Sequence, residues 1–462
     1  MKNLHRSRLT FLAALSGLAF AIPGTLDAAG NARELKQHGI TWTFDKAYVT
    51  GTFVTGDFWV VGPVRIVGIS TDLHADGFTP EPGQDGSMLN PGTNAKQGYD
   101  NRLTSYEDDL NAALPGGSPV SPENALVLEP NSSLVSMVSW LYRSPGDTEP
   151  GIPKFNGNTK VPRPVTRSGA VLTILKEPAP EGSFRPPYCG ADKSIKFNKN
   201  NLKLDKLRSL NPAKDAPEVA QLTKDIARPW IDHVNEFLGA MVHPSENMPN
   251  YGREMARIIV DVGLVLNMDI PGKEDLVIPF VQMGIDFAGI ADNGGAWPAN
   301  GGHHHGRKLP ILVAGVLLDD EHMKGVGKWS TEFQEDQQTF YVTQKEVDLT
   351  NGSGWRPDKR GGEPEPYTAA DIGMPEWGIR HAAQPENDNK LWTTPYRSVN
   401  YAAIPGFALV ARMMDQVEAW NHPALFDYAD RVMKRDDLET AVNTPSDCLK
   451  NAWNNFEATR AK

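Results

Sequence analysis

Two cysteines in 462 residues cannot supply a disulfide framework, so the fold rests on its apolar core. Positive charge is also short: 46 Lys and Arg stand against 57 Asp and Glu, for a net charge of −11. That balance argues against a general nucleic-acid binder, which needs an excess of Lys and Arg on at least one face to neutralise phosphate. Beyond the first thirty residues no segment is long and apolar enough for a membrane helix. No Gly-rich phosphate loop, nucleophile elbow or dinucleotide fingerprint occurs. The 42 glycines and 36 prolines follow no fixed period, which excludes a collagen-like repeat and predicts many loops. What remains is 40% hydrophobic and 22% charged, the balance of a globular chain of one or two domains with a substantial core.

The N-terminus has its own grammar. Lys2, Arg6 and Arg8 precede an apolar run from Leu9 to Ile22, and Ala28, Ala29 and Gly30 follow. This is the order of a cleavable signal peptide over residues 1–29, predicting a periplasmic or secreted protein with no membrane attachment after cleavage. Removing the segment deletes three positive charges and Asp27, taking the net charge from −11 to −13. In an oxidising compartment Cys189 and Cys448 can either pair or stay free.

The fold class read from pattern is α+β, a β-rich N-terminal part followed by a mainly α-helical, toroid-like part. Over residues 36–190, short β-branched and aromatic runs at Ile40–Phe44, Ala47–Val54, Phe58–Val61, Val64–Ile69, Ala125–Leu128, Leu134–Leu141 and Ala170–Leu175 are separated by Gly and Pro, as in a meander or small sandwich. Residues 191–214 form a basic linker, from Lys193 through Lys196, Lys199, Lys203, Lys206 and Arg208 to Lys214. It is either a solvated face or a wall for an anionic substrate.

From 215 to 462 the period is helical. Asp215 and Glu218 look like a capping box. Helices are expected after it, and at Arg253–Leu266, Glu274–Ile290, Lys308–Leu318, Val399–Met414, Pro423–Lys434 and Asp447–Ala458, with Ser105–Leu114 as a further candidate. Pro279, Pro310 and Pro405 predict bends. Asn421 is the expected N-cap of the helix from Pro423. Apolar helices joined by long Gly- and aromatic-rich loops suit a ring of hairpins, incomplete at this helix count, with a cleft at one end.

Two clusters carry chemistry. The first, Asn293-Gly-Gly-Ala-Trp297-Pro-Ala-Asn300-Gly-Gly-His303-His304-His305-Gly-Arg307-Lys308, joins two expected helices. Neighbouring residues point in different directions, so one or two of the histidines can face a cleft while another packs. Imidazole moves protons near neutral pH, and Arg307 can grip a carboxylate with two hydrogen bonds. No metal is expected, since His-x-x-x-His or paired-Cys spacing is missing. The second cluster runs through Arg360, Tyr367, Glu376-Trp377-Gly-Ile-Arg380-His381, Trp392 and Tyr396-Arg397. Aromatic faces interleaved with Arg, Glu and His are what a sugar groove requires. Tyr251-Gly-Arg253-Glu254 is a third candidate, at a helix start. His233, His243 and His322 are isolated and read as packed or exposed.

The Asn300-Gly-Gly-His-His-His-Gly-Arg307 loop, followed by Pro375-Glu-Trp-Gly-Ile-Arg-His381 and an aromatic stretch, resembles the helical-toroid (α/α) polysaccharide lyases of uronic-acid polymers such as alginate and glucuronan. The resemblance covers roughly Asp215 to the C-terminus. It implies β-elimination of an anionic polysaccharide without a dissociable cofactor. It also implies Tyr367 as base or acid, His304 or His305 as its partner, and His381 as an alternative base. Asn300, Arg307 or Arg380 would neutralise the carboxylate; Trp297, Trp377, Trp392 and Tyr396 would line the sugar subsites. Two other readings stay open: a glycoside hydrolase using a pair among Asp286, Asp292, Asp371 and Glu376, and a non-catalytic glycan-binding protein.

Overall fold

The computed structural model describes residues 30–144, 147–153, 163–234, 242–353, 366–377, 401–434 and 445–460. The expected signal segment, Arg360, Arg380, His381, Trp392, Tyr396 and Arg397 lie outside them.

The N-terminal part is built on one eight-stranded sheet. Its strands are β1 (Gly30–Gln37), β2 (Ile40–Thr52), β3 (Phe58–Val61), β4 (Val64–Thr71), β5 (Ser87–Leu89), β6 (Leu126–Leu128), β7 (Ser132–Ser139) and β10 (Thr166–Leu175). The short β8 (Tyr142–Ser144) and β9 (Asp147–Thr148) pair separately. The order is β5-β7-β10-β3-β2-β4-β6, antiparallel except that β10 runs parallel to β3. The runs expected as two strands, Ile40–Phe44 and Ala47–Val54, form the single strand β2. It is flanked by β1 on one edge, and on the other by β4 near its start and β3 near its end. Register shifts at Ala32/Glu34 and Thr43/Phe44 give it the added twist that curls the sheet toward a half-barrel.

Side-chain alternation divides the sheet between two cores. Leu134 and Val138 of β7, with Ala170, Leu172 and Ile174 of β10, join Trp42, Phe44, Val60 and Ile66 inside the curl. Val135, Met137 and Val171 face the other way, into a core shared with the helices. Both faces being covered, all eight residues of β7 are buried.

The helices are α1 (Val219–Ile226), α2 (Gly252–Leu266), α3 (Glu274–Asp292), α4 (Lys308–Leu318), α5 (Glu321–Lys324), α6 (Gln334–Gln338), α7 (Gln344–Asn351), α8 (Ile404–Met413), α9 (Val417–Trp420), α10 (Pro423–Met433) and α11 (Asp447–Arg460). A two-stranded ribbon pairs β11 (Thr339–Tyr341) with β12 (Pro375–Trp377). Helices α3 and α4 form a close hairpin, since a side chain at Gly284 would collide with the carbonyl of Pro310 and with Ala314. Helix α2 packs on α8 in the same way, with Gly406 against Val260. None of these helices is long and apolar enough to cross a membrane.

Several local expectations are corrected. Asp215 sits in the left-handed region at φ 63°, and α1 is preceded by Glu218 with no side-chain cap. Asn421 is likewise left-handed; it ends α9, and its amide donates to the carbonyl of Gly327 at 2.9 Å instead of capping α10. Ser105–Leu114 holds only one 3-10 turn, at Asp108–Leu110. Pro310 and Pro405 lie in the first turns of α4 and α8, where no N–H is required, so of the three prolines only Pro279 is interior to its helix. Cys189 and Cys448 are buried free thiols.

Sheet and helices are joined by Arg185. This fully buried guanidinium donates to Asp57, in the β2–β3 turn, at 2.7 Å and to both oxygens of Asp286 on α3 at 2.9 and 2.6 Å. Within the basic linker, Lys193 is buried and donates to the carbonyls of Pro187, Tyr188 and Cys189. Arg208 pairs with Asp415, and Lys196 with Asp192. Lys196, Lys199, Lys203, Lys206 and Lys214 are exposed.

Candidate functional site

The loop from 293 to 307 closes the α3–α4 hairpin, and the short helix α6 shapes it. Gln334 accepts the N–H groups of Asn300 and His304 at 3.1 and 3.0 Å and donates to the carbonyl of Gly301 at 2.8 Å. Gln337 accepts the N–H of Ala299. Gln338 also donates to the carbonyl of Gly301, at 3.0 Å, and accepts from Trp377 Nε1 at 3.1 Å and from His305. Indole donates only, so the Gln338 atom facing it is the oxygen, and His305 must carry its proton on Nε2. Gln338 therefore ties the histidine loop to the Glu376-Trp377 strand, bringing the two clusters together at one point.

Most of what the loop carries points inward. His304, His305 and Arg307 are buried, as is Trp297. His305 is held neutral, its pKa lowered to about 4 chiefly by burial, with Arg307 adding to the effect. His304 donates Nδ1–H to the carbonyl of Pro298 at 2.6 Å. Arg307 donates to Asp232 at 2.8 Å and to the carbonyl of His305 at 2.7 Å, and Trp297 Nε1 donates to the same Asp232 oxygen at 3.0 Å. Burial pushes the Asp232 carboxyl up, but Arg307, with His243 and His304 nearby, holds it below the ordinary range.

Glu335 takes the place of a helix cap. It accepts the N–H groups of Gly306 and Lys308 at 3.1 and 3.2 Å, while burial and the adjacent Asp336 raise its pKa to about 7. Lys308 is buried between Asp336 and the carbonyl of Trp420.

One end of the loop reaches the surface. His303 is half-buried and meets the Tyr251 ring edge-on, with centroids 4.7 Å apart. The Arg253 guanidinium lies 5.4 Å from the centre of the Tyr251 ring and pairs with Glu254 at 2.8 Å. Arg257 approaches the same carboxylate at 3.8 Å, so two guanidiniums share one negative charge. Asn300 is half-buried and accepts the N–H of His303 at its carbonyl.

The described members of the second cluster are buried. Tyr367 is fully buried, its N–H donating to Thr350 and its carbonyl accepting from Asn351 on α7. Glu376 and Trp377 are fully buried in β12, with Arg431 3.5 Å from the Glu376 carboxylate. The carboxylates open to a hydrolytic reading have structural partners too. Asp286 is held by Arg185, Asp292 by His322 at 2.7 Å, and Asp371 closes a capping box with Thr368.

Asp232, Glu335, Gln334 and Gln338 were not visible as site residues in the sequence. Gln334-Glu-Asp-Gln-Gln338 is a run that composition alone assigns to solvent, and Asp232 lies 75 residues from Arg307. Among the described residues, no group of three or more His, Cys, Asp or Glu side chains is placed to hold a metal ion. A comparison with known protein families, with curated proteins and with solved structures finds no match to this chain.

Proposed function

We propose that the chain is an exported polysaccharide lyase that cleaves a uronic-acid-containing polymer by β-elimination, with its helices forming part of a toroid-like (α/α) scaffold. The observation that carries the reading is the half-buried Tyr251–His303 ring pair with Arg253 and Asn300 beside it. β-Elimination needs a base for the C5 proton, an acid for the departing O4, and a positive or hydrogen-bonding group at the carboxylate into which the carbanion delocalises. Tyr251 and His303 supply the proton-transfer pair. Arg253 and the Asn300 amide are the groups for the carboxylate. The C5–H electrons become the C4=C5 double bond as the C4–O4 bond breaks, so the step balances with no cofactor.

This assignment moves the chemistry away from Tyr367, His304, His305 and Arg307, whose burial favours structural work. The wider charge favours the same place. A protein near −13 repels a polyanion at long range, but a local excess of guanidinium acts within about a Debye length, roughly 8 Å at physiological salt. Arg253 and Arg257 both lie on Glu254, and the Asp261 carboxyl near Arg257 is raised to about 7 by burial, so guanidinium is in local excess.

Incubation of the purified protein with alginate, glucuronan and neutral glycans tests the reading. Unsaturated, ultraviolet-absorbing ends from an acidic polymer support it, and Tyr251→Phe should lower turnover about 100-fold or more while leaving polymer binding intact. New reducing ends without that absorbance, or binding without cleavage, would replace it with a hydrolase or a lectin.

A further inference from the structure

We infer that Arg307 is a positioning residue: anchored on Asp232, it clamps the backbone of the histidine loop and so sets His303 against the ring of Tyr251. The inference rests on the Tyr251–His303 reading above and gives Arg307 a role other than touching substrate. Its guanidinium is 1% exposed and has no route to a polymer. One of its nitrogens, Nη1, points at the carbonyl of His305 at 2.7 Å and at that of His303 at 3.5 Å, gripping the loop on both sides of His304. Nε is fixed by Asp232, which Trp297 holds from a second direction. Nη2 meets the sulfur of Met255, on the first turn of the helix that Tyr251 precedes. One planar group thus touches both the His303 loop and the Tyr251 helix, and a guanidinium is rigid enough to relay that geometry.

A second contact at the same carbonyl sets the separation. Gly252, between Tyr251 and Arg253, lies so close to the loop that a Cβ there would overlap the carbonyl of His303. Glycine at 252 lets the two backbones touch, and the clamp holds them there. Lysine at 307 would keep the charge beside Asp232 but could not hold Asp232, two carbonyls and Met255 at once.

The test uses the full-length protein with isotope-labelled histidine. The His303 ring resonance is assigned with His303→Gln, and its ring-current shift is attributed to Tyr251 with Tyr251→Leu. In Arg307→Lys, the His303 resonance should move to its position in Tyr251→Leu, and kcat should fall tenfold or more with KM within twofold. Gly252→Ala, which crowds the same carbonyl, should produce the same movement, and it serves as the measurement should Arg307→Lys not fold. A His303 resonance that stays in place in a folded variant of either kind overturns the clamp. Movement of the resonance in a protein that cleaves no polymer would uphold the clamp and remove the lyase reading instead.

Discussion

The loop from Asn300 to Lys308 has an inner and an outer end, and they differ in almost every physical respect. At the inner end, His304, His305, Arg307 and Lys308 are buried and bound to fixed partners from α6, Asp232 and Trp420. At the outer end, His303 is half-buried and rests on Tyr251. Three consecutive histidines therefore do two kinds of work. Burial of polar groups this dense is tolerable only when every member is matched, so the inner end trades freedom for a fixed shape. The outer end uses that shape to hold one half-buried imidazole against one half-buried phenol ring.

The sharpest way to break the comparison is at Asp232. Asp232→Ala leaves the Arg307 guanidinium and the Trp297 indole facing an empty position inside the core. Losing one partner of a buried ion pair costs about 3–5 kcal/mol, so the midpoint of urea unfolding should drop markedly. An effect below about 1 kcal/mol would mean that the pair is hydrated and that the inner end is not the rigid part.

Substitutions at the two ends should then separate. His303→Ala should cost 100-fold or more in turnover with stability changed by no more than about 0.5 kcal/mol. His305→Ala should do the reverse, losing about 1–3 kcal/mol of stability by removing the buried imidazole that donates to Gln338. Measuring both variants by steady-state rate and by urea unfolding decides the matter: equal effects on both quantities would erase the distinction.

Legibility in the sequence follows the same division. Elements with strong periodicity were readable to within a residue or two: Lys308–Leu318 and Phe58–Val61 have the expected limits, and Glu274–Ile290 extends only to Asp292. Such segments are dictated by which face must be apolar, which is local information. Caps were less readable, because Asp and Asn serve a left-handed turn as well as an N-cap; Asp215 and Asn421 took the turn. The candidate loop was legible as a place, from its glycines and histidines, but the division of labour within it was not. Whether an imidazole is buried depends on glutamines 30 residues away and on Asp232, which carry no signal of their own. Tyr251 and Arg253 were visible but looked like a helix terminus; only the fold sets them beside His303.

The smallest effect is in the pH dependence of stability, and it bears on the buried interior, the inner end of the loop included. His233, His305 and His38 have pKa values lowered to about 4, in each case mainly by burial. As pH falls below 6.5 the unfolded chain takes up these protons first, so each of the three removes stability between 6.5 and 4. Glu335 and Asp261, raised to about 7 mainly by burial, have the opposite sign. The unfolded chain releases their protons first as pH rises above the ordinary carboxyl range, so stability is lost from there up to 7. The raised carboxyls of Asp286 and Asp225, with burial again the first cause, act in the same direction as Glu335 and Asp261. Each lowered imidazole on its own makes stability rise with pH between about 4.5 and 6.5, by about 1.4 kcal/mol per unit. His233 is the residue with which to check this, since its ring lies between Tyr99 and Tyr188 and neither nitrogen has a hydrogen-bond partner among the described residues. Phenylalanine there fills a similar volume and removes one titrating group, so His233→Phe should lower the slope by about 1.4 kcal/mol per pH unit. At pH 7 it should leave stability unchanged or raise it, because two unsatisfied buried nitrogens disappear. Urea unfolding of both proteins at pH 4.5, 5.5 and 6.5 gives the two slopes. Parallel lines would show that His233 is protonated or hydrated in the folded chain, and that the interior behind the histidine loop is wetter than its packing implies.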